Sequence, residues 1–255
     1  MPVKTDGCLS ATAPALERVA LLFGGEALAR FASAHVCIAG VGAVGAMAAE
    51  SLARSGVGRL TLVDFDKLSL SNLNRHPFAA HSTVGRPKLE VARERLADIA
   101  QACRVDCKEL FLDETTVPEL LAAGPYDALL DAIDSLGPKV ELLAHAAEIP
   151  SMRTVSCVGA ARRSDPGAFR VRQLFETRGC PFAQLIRKRL RRRGVPEGAP
   201  LWAVQSDEAA SPATAEPEEN AMPRGRNRQP LGSLHAATAA AGLAAAAEIL
   251  RFLRA

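Results

Sequence analysis

His35-Val-Cys-Ile-Ala39 runs into Gly40-Val41-Gly42-Ala43-Val44-Gly45, and an alanine-rich stretch over 46–55 follows. The first five residues form a β-branched apolar run of the kind that fills a buried strand. The glycines make a tight turn, and the stretch after it is helical in pattern until Gly56-Val57-Gly58 stops it. A second apolar strand, 60–64, ends on Asp64, 24 residues after Gly40. Strand, glycine turn, helix and strand with so short a crossover predict a parallel sheet. The turn brings backbone N–H groups to a helix N-terminus, where phosphate binds, and Asp64 stands where a carboxylate accepts from ribose hydroxyls. A nucleotide is therefore expected at this turn.

The segment after Asp64 separates two kinds of nucleotide. A dinucleotide cofactor leaves 66–84 without a purpose, although this polar connection is long for a compact domain. It holds Ser71-Asn72-Leu73-Asn74-Arg75, and Lys88 follows on the next helix. A guanidinium and an ammonium soon after the ribose carboxylate suit a triphosphate, whose charges must be neutralised together. Asp131 and Asp134 close the strand expected at 128–132, at the carboxyl edge where open α/β sheets bind ligands. A carboxylate there suits a Mg²⁺ ion bridging phosphates.

Further strands are expected at 104–110, 151–158 and 168–175, and further helices over 16–33, 85–101, 115–123, 137–148 and 181–193. The expected fold is thus α/β and Rossmann-like: a mostly parallel sheet flanked by helices, with a C-terminal extension. Residues 1–15 read as a flexible tail ahead of a single domain, 16–255. Within it, 206–230 is rich in Pro, Ser, Glu and Arg and reads as a flexible loop. An alanine-rich helix over 233–254 closes the chain; its alanines and charges argue for packing in a core or a dimer, with no membrane expected.

The 31 Lys and Arg against 28 Asp and Glu leave a net charge of only +3, but the basic residues are clustered. Arg187, Lys188, Arg189, Arg191, Arg192 and Arg193 place six cations in seven positions. So dense a run favours a polyanion, and without interleaved aromatics it suggests contact with a nucleic-acid backbone. The six cysteines include no CxxC pair, and no secretory signal is legible at the N-terminus. A reducing, cytoplasmic location without structural zinc is expected.

In this order and spacing, GVGAVG (40–45), LTLVDFD (60–66), SNLNR (71–75), VGRPK (84–88) and DAIDS (131–135) resemble the ubiquitin-activating-enzyme-like superfamily. That superfamily includes the adenylyltransferases of thiamine and molybdopterin biosynthesis. The resemblance implies ATP contacts at Gly40, Gly42, Ala43, Gly45, Asp64, Asp66, Asn72, Asn74, Arg75, Lys88, Asp134 and Ser135. It implies catalytic roles for Arg18, Arg75, Lys88 and Asp134, with Asp134 holding Mg²⁺. It also implies a homodimer, because the arginine matched by Arg18 often reaches the triphosphate from the partner subunit. Ala43 replaces a common glycine, and His76 a common glutamine.

The second half resembles the tRNA threonylcarbamoyladenosine dehydratase branch, through IDSLGPKVELL (133–143), VGAARRSDP (158–166), LFETRGCPFAQLIRKRLRRRGV (174–195), AVQSDE (203–208) and QPLGSL (229–234). The implied activity is ATP-dependent adenylation of the threonyl carboxylate of that nucleoside in tRNA, followed by ring closure with release of AMP and pyrophosphate. The alternative is an adenylyltransferase for the C-terminus of a ubiquitin-like sulfur-carrier protein. A sulfur-transfer partner protein is a further possible associate by resemblance. Cys180, at the start of the basic helix, reads as structural, since ring closure needs no thiol.

Overall fold

A computed structural model describes residues 14–212 and 231–255. One sheet of seven strands organises them: β1 (His35–Ala39), β2 (Arg59–Asp64), β3 (Arg104–Glu109), β4 (Ala128–Asp131), β5 (Arg153–Cys157), β6 (Phe169–Gln173) and β7 (Leu201–Ser206). Their order is β3-β2-β1-β4-β5-β7-β6, parallel throughout except for β6, which runs antiparallel to β7 at one edge. The mostly parallel α/β architecture expected from the sequence is thus present.

Period-two alternation along β1 divides the core. Val36 and Ile38 face one apolar cluster, Cys37 and Ala39 the other. Helices α1 (Glu17–Phe23), α2 (Gly25–Ser33), α3 (Ala43–Arg54) and α4 (Lys88–Ile99) precede β3 or flank it in sequence. They are followed by α5 (Thr116–Ala122), α6 (Leu136–Ala146), α7 (Pro181–Arg192) and α8 (His235–Leu253). Buried residues of α2, α3, α4 and α8 share the first cluster, and those of α5, α6 and α7 the second. Helices on both faces keep a parallel sheet out of water.

The last helix, α8, buries Ala237, Ala241 and Ala245 at helical spacing, with Ala246 and Ile249 beside them. Its length and composition would let it cross a membrane, but half of it is buried inside the fold. Glu248 on its inner face pairs with Arg153 of β5 and with Arg251, and the Arg153 guanidinium lies 4.2 Å from the Trp202 ring centre.

Three features depart from the sequence expectation. The helix expected over 16–33 is two helices, because Gly24 adopts φ 84° and ψ 164°, which ends α1 and restarts the chain as α2. A residue with a side chain rarely enters that region. Strand β7 had no counterpart in the sequence reading, yet it lies between β5 and β6 and sets β6 outermost. The described first residues of the loop expected over 206–230 are held by specific contacts. Asp207 N–H donates to Ala168 O at 3.0 Å, Asp207 pairs with Arg172 at 2.5 Å, and Ser211 N–H donates to Arg162 O at 3.0 Å. The rest of the expected loop, 213–230, and tail residues 1–13 lie outside the described residues.

Candidate nucleotide site

The glycine turn is shaped by two contacts that leave no room for a side chain. Gly40 takes φ 92°, and a Cβ there would come within 2.9 Å of the Ala132 carbonyl group. A Cβ on Gly45 would stand 1.9 Å from Gly40 O. Gly42 is different. Its φ of −78° and ψ of −166° are open to any residue, and an added Cβ would meet nothing within 4 Å. The first intrahelical bond of α3 is Ala46 N–H to Gly42 O at 2.9 Å. The N–H groups at the start of α3 are therefore without helical partners, and the space beside Gly42 is open. That cradle fits a phosphate, and Ala43, in the first turn of α3, does not obstruct the backbone around Gly42.

Asp64 closes the turn from β2. It is buried, and its Oδ2 accepts from Val41 N–H at 2.7 Å, while Oδ1 accepts from the Phe65 and Asp66 N–H groups, each at 2.8 Å. A carboxylate offers about four acceptor positions. Three are used, so the remaining one on Oδ2 suits a single hydroxyl donor. Lys88, also buried at the start of α4, donates to Asp66 Oδ2 at 2.7 Å and lies 3.6 Å from Asp64 Oδ1. The backbone repeats the link, with Lys88 N–H on Asp66 O at 3.0 Å. Asp64, Asp66, Lys88 and the glycine turn thus form one connected group.

The 71–75 segment forms a second group. Residues Leu70–Asn72 make a short 3₁₀ turn, capped where Ser69 N–H donates to Asn72 Oδ1 at 3.1 Å. The Asn72 amide oxygen is therefore used locally. Arg75 Nη1 donates to Ser71 O at 2.6 Å and to Asn74 Oδ1 at 3.0 Å, and Asn74 Nδ2 donates to Ser233 O at 2.9 Å. His235 Nδ1–H donates to Arg75 O at 3.0 Å, so the start of α8 seats this segment.

His76 ties the second group to the first. Phe78 N–H donates to its Nδ1 at 3.1 Å, which leaves the proton on Nε2, and that atom donates to Val41 O at 2.9 Å. Burial lowers its pKa from 6.5 to about 4, so the ring is neutral. A glutamine amide presents the same pair, one donor and one acceptor. The replacement noted in the sequence therefore keeps the hydrogen bonding.

Asp131 and Asp134 have separate fates. Asp131 is fully buried and pairs with fully buried Lys139 at 2.5 Å, while Ser156 Oγ donates to it at 2.7 Å and Ile133 N–H at 3.1 Å. It braces the loop after β4 and is not available to a metal. Asp134 is exposed, accepts from Ser135 Oγ at 3.4 Å, and stands just before α6. An exposed carboxylate fits Mg²⁺, which takes one or two carboxylates and receives its other oxygens from phosphates and water. Lys139 escaped the sequence reading, although its spacing from Leu142, Leu143 and Ala146 puts it on the buried face of α6.

Two groups of expected residues are not drawn into these contacts. Arg18 is exposed on α1 and forms no hydrogen bond or ion pair among the described residues. The basic run on α7 is only partly a free surface. Arg187 is half-buried and donates to Thr177 Oγ1, with burial lowering its pKa. Arg191 pairs with Glu197 at 2.7 Å, and Arg193, just past the helix, pairs with Glu141 at 2.6 Å. Lys188, Arg189 and Arg192 remain exposed without a described partner. Six clustered cations become three, because the buried stripe of Ala183, Ile186 and Leu190 carries Arg187 inward and two glutamates take Arg191 and Arg193. Cys180 is buried, and its Sγ accepts from Ala183 N–H at 3.5 Å as the cap of α7.

A mostly parallel sheet whose glycine turn, buried Asp64 and buried Lys88 converge at one edge has the architecture of a nucleotide-binding α/β protein. The ThiF family model matches residues 16–255, and the chain belongs to that family. It is 37% identical over 191 residues to the tRNA threonylcarbamoyladenosine dehydratase of Bacillus subtilis (strain 168), covering 74% of this chain and 73% of that protein. The crystal structure of the E. coli tRNA N6-threonylcarbamoyladenosine dehydratase in complex with ATP is 32% identical with a TM-score of 0.81, covering 93% of both chains. Its complex with AMP gives 33% and 0.82, covering 92% of both.

Proposed function

We infer that this chain uses ATP to adenylate the threonyl carboxylate of threonylcarbamoyladenosine in tRNA and then closes a ring, releasing AMP. The open cradle at Gly42, flanked by Asp64 and buried Lys88, is the observation that carries this reading. It agrees with the overlap, at 93% of both chains, with a dehydratase solved in complex with ATP.

In this reading the phosphates lie on the N–H groups at the start of α3, and the spare Oδ2 position of Asp64 holds one ribose hydroxyl. Lys88 turns from Asp66 toward the triphosphate, and Arg75, released from Ser71 and Asn74, joins it. Fixed donors that meet charge as it develops lower the barrier without reorganising solvent. The substrate carboxylate attacks the α-phosphorus, and the bond to the β-phosphate oxygen breaks with its electron pair on pyrophosphate. A nucleophile within the same side chain then attacks the acyl carbon and loses its proton, and AMP departs. The sum is loss of one water from the nucleoside. Asp134 would hold Mg²⁺, which supplies charge neutralisation to the phosphates when bound. Lys188, Arg189 and Arg192 would meet the tRNA backbone.

A homodimer, with Arg18 serving the partner's site, belongs to the same proposal. Leu21 and Leu22, 73% and 74% exposed on α1, support it as apolar surface beside Arg18. The location proposed is the cytoplasm, where tRNA is found.

ATP–pyrophosphate exchange tests the reading. Modified tRNA should stimulate it, whereas a carrier protein ending in Gly-Gly should not; the opposite pattern would refute the dehydratase reading. Lys88→Ala should reduce exchange about 100-fold or more, the usual scale for a charge-stabilising group.

A further inference from the structure

The carboxyl edge beyond the glycine turn holds a buried guanidinium that forms no ion pair with any described residue. Arg163 stands in the turn leaving β5 and is 4% exposed. Its Nη1 reaches only Arg162 O, at 3.4 Å, and its Nε is enclosed without a hydrogen-bond partner. Glu208 feels the Arg163 charge, but its carboxylate is engaged by the Ser164 N–H and hydroxyl and by the Asp165 N–H. A guanidinium withdrawn from water with no ion pair and with its Nε unbonded is costly, and such a group in a well-formed turn calls for a ligand.

The turn is built to hold it there. Arg162 adopts φ 58°, its N–H donates to Gly232 O at 2.8 Å, and its carbonyl accepts from Ser211 N–H at 3.0 Å. Gly159 adopts φ 71°, and a Cβ there would lie 2.8 Å from Cys180 Sγ and 3.9 Å from Arg163 Nη2. The guanidinium therefore lies near the N-terminal cap of α7. A second unsatisfied atom lies on the neighbouring strand: Gln205 Oε1 is enclosed without a donor, while Nε2 donates to Arg178 O and, at 3.4 Å, to Ser206 O. Turning that amide over would set its oxygen against two carbonyls, so its orientation is fixed. Val158 N–H on Val204 O, at 2.9 Å, places the start of the Arg163 turn beside Gln205. No hydrogen bond joins the two orphans.

Strand order fixes what this position faces. The proposed ribose contact follows β2, the phosphate turn follows β1, Asp134 follows β4, and Arg163 follows β5. Neighbouring strands are about 4.8 Å apart, so the turn is one strand beyond Asp134, on the side away from the ribose.

We propose that Arg163 binds the carboxylate of the acceptor substrate ahead of its adenylation, with Gln205 Oε1 accepting an N–H or O–H beside that carboxylate. The proposal rests on the function inferred above. A guanidinium fork matches two carboxylate oxygens and offsets their repulsion by the α-phosphate. Arg163 is buried, unlike the exposed Lys188, Arg189 and Arg192 of α7 to which the tRNA backbone is assigned.

The test is AMP formation with modified tRNA, competed by free threonylcarbamoyladenosine or by the same nucleoside with its carboxylate converted to carboxamide. With the unaltered protein the acid should compete at least tenfold better than the amide; equal competition would overturn the proposal without any variant. Arg163→Ala should raise KM for modified tRNA at least tenfold and erase the preference for the acid. KM for ATP and affinity for unmodified tRNA should stay unchanged, and Arg163→Lys should recover part of the loss. An Arg163→Ala protein that keeps the wild-type KM and preference, or that loses affinity for unmodified tRNA, would refute the carboxylate assignment. An unaltered protein that forms no AMP with modified tRNA would instead remove the functional reading itself.

Discussion

Substituting alanine at two glycines three residues apart should have opposite consequences. At Gly45 the new Cβ would stand 1.9 Å from Gly40 O, a backbone atom fixed by the turn. Relief requires α3 to move off β1, and forced overpacking of this kind costs about 3 kcal/mol. For a chain of this size that corresponds to a fall of roughly 10 °C in Tm. At Gly42 the Cβ meets nothing within 4 Å and φ is −78°. Only the helix cap is affected, at about 1 kcal/mol or less and roughly 3 °C. The methyl would, however, occupy the cradle assigned to phosphate. Losing one or two charged hydrogen bonds of about 1.5–3 kcal/mol should weaken ATP binding roughly 10- to 100-fold or more. Thermal unfolding and calorimetric titration with ATP read the two effects separately. A Gly42→Ala protein that binds ATP as tightly as the parent would show that phosphate lies elsewhere. A Gly45→Ala protein of unchanged Tm would show that the turn is not shaped as described.

His76 gives a pH signature. Its pKa is lowered to about 4 in the fold, chiefly by burial, against 6.5 when free. Between those values the unfolded chain binds a proton that the folded chain refuses. Stability is therefore full above pH 6.5 and falls as pH drops toward 4, by about 3 kcal/mol at most. His76→Gln should keep the bonds to Val41 and Phe78 and lose that part of the slope in urea unfolding; an identical slope would refute it. Lys139→Met should destabilise the fold by about 3–5 kcal/mol, because Asp131 is left charged and buried. A loss below 1 kcal/mol in the same assay would mean that the pair is not sealed from water. On α7, removing Lys188, Arg189 and Arg192 together should lower the slope of log K against log salt for tRNA by about 2 to 3. Arg187→Ala should instead lower Tm, since Arg187 is held by Thr177.

The fold-deciding part of the chain was legible because its signals are local. Strand, glycine turn and helix over 35–54 follow from apolar pattern and turn chemistry, and Asp64 and Lys88 stand where those elements direct them. Contacts distant in sequence were not legible. Strand β7 carries Trp202, Gln205 and Ser206 among few β-branched residues, and only its partners β5 and β6 make it a strand. Gly24 breaks a helix that hydrophobic period alone continues through. The cations of α7 look equivalent in sequence, yet the buried stripe at Ala183, Ile186 and Leu190 turns Arg187 inward, and acids from elsewhere take Arg191 and Arg193. Lys139 and His76 find their partners Asp131 and Val41 on other elements, which no local pattern announces.

The most direct measurement incubates the purified protein with ATP and tRNA carrying threonylcarbamoyladenosine, then digests the tRNA and weighs its nucleosides. The predicted result is a nucleoside lighter by one water, formed together with AMP and pyrophosphate and dependent on Lys88. AMP formation on a Gly-Gly carrier protein, with the tRNA nucleoside unchanged in mass, would contradict it.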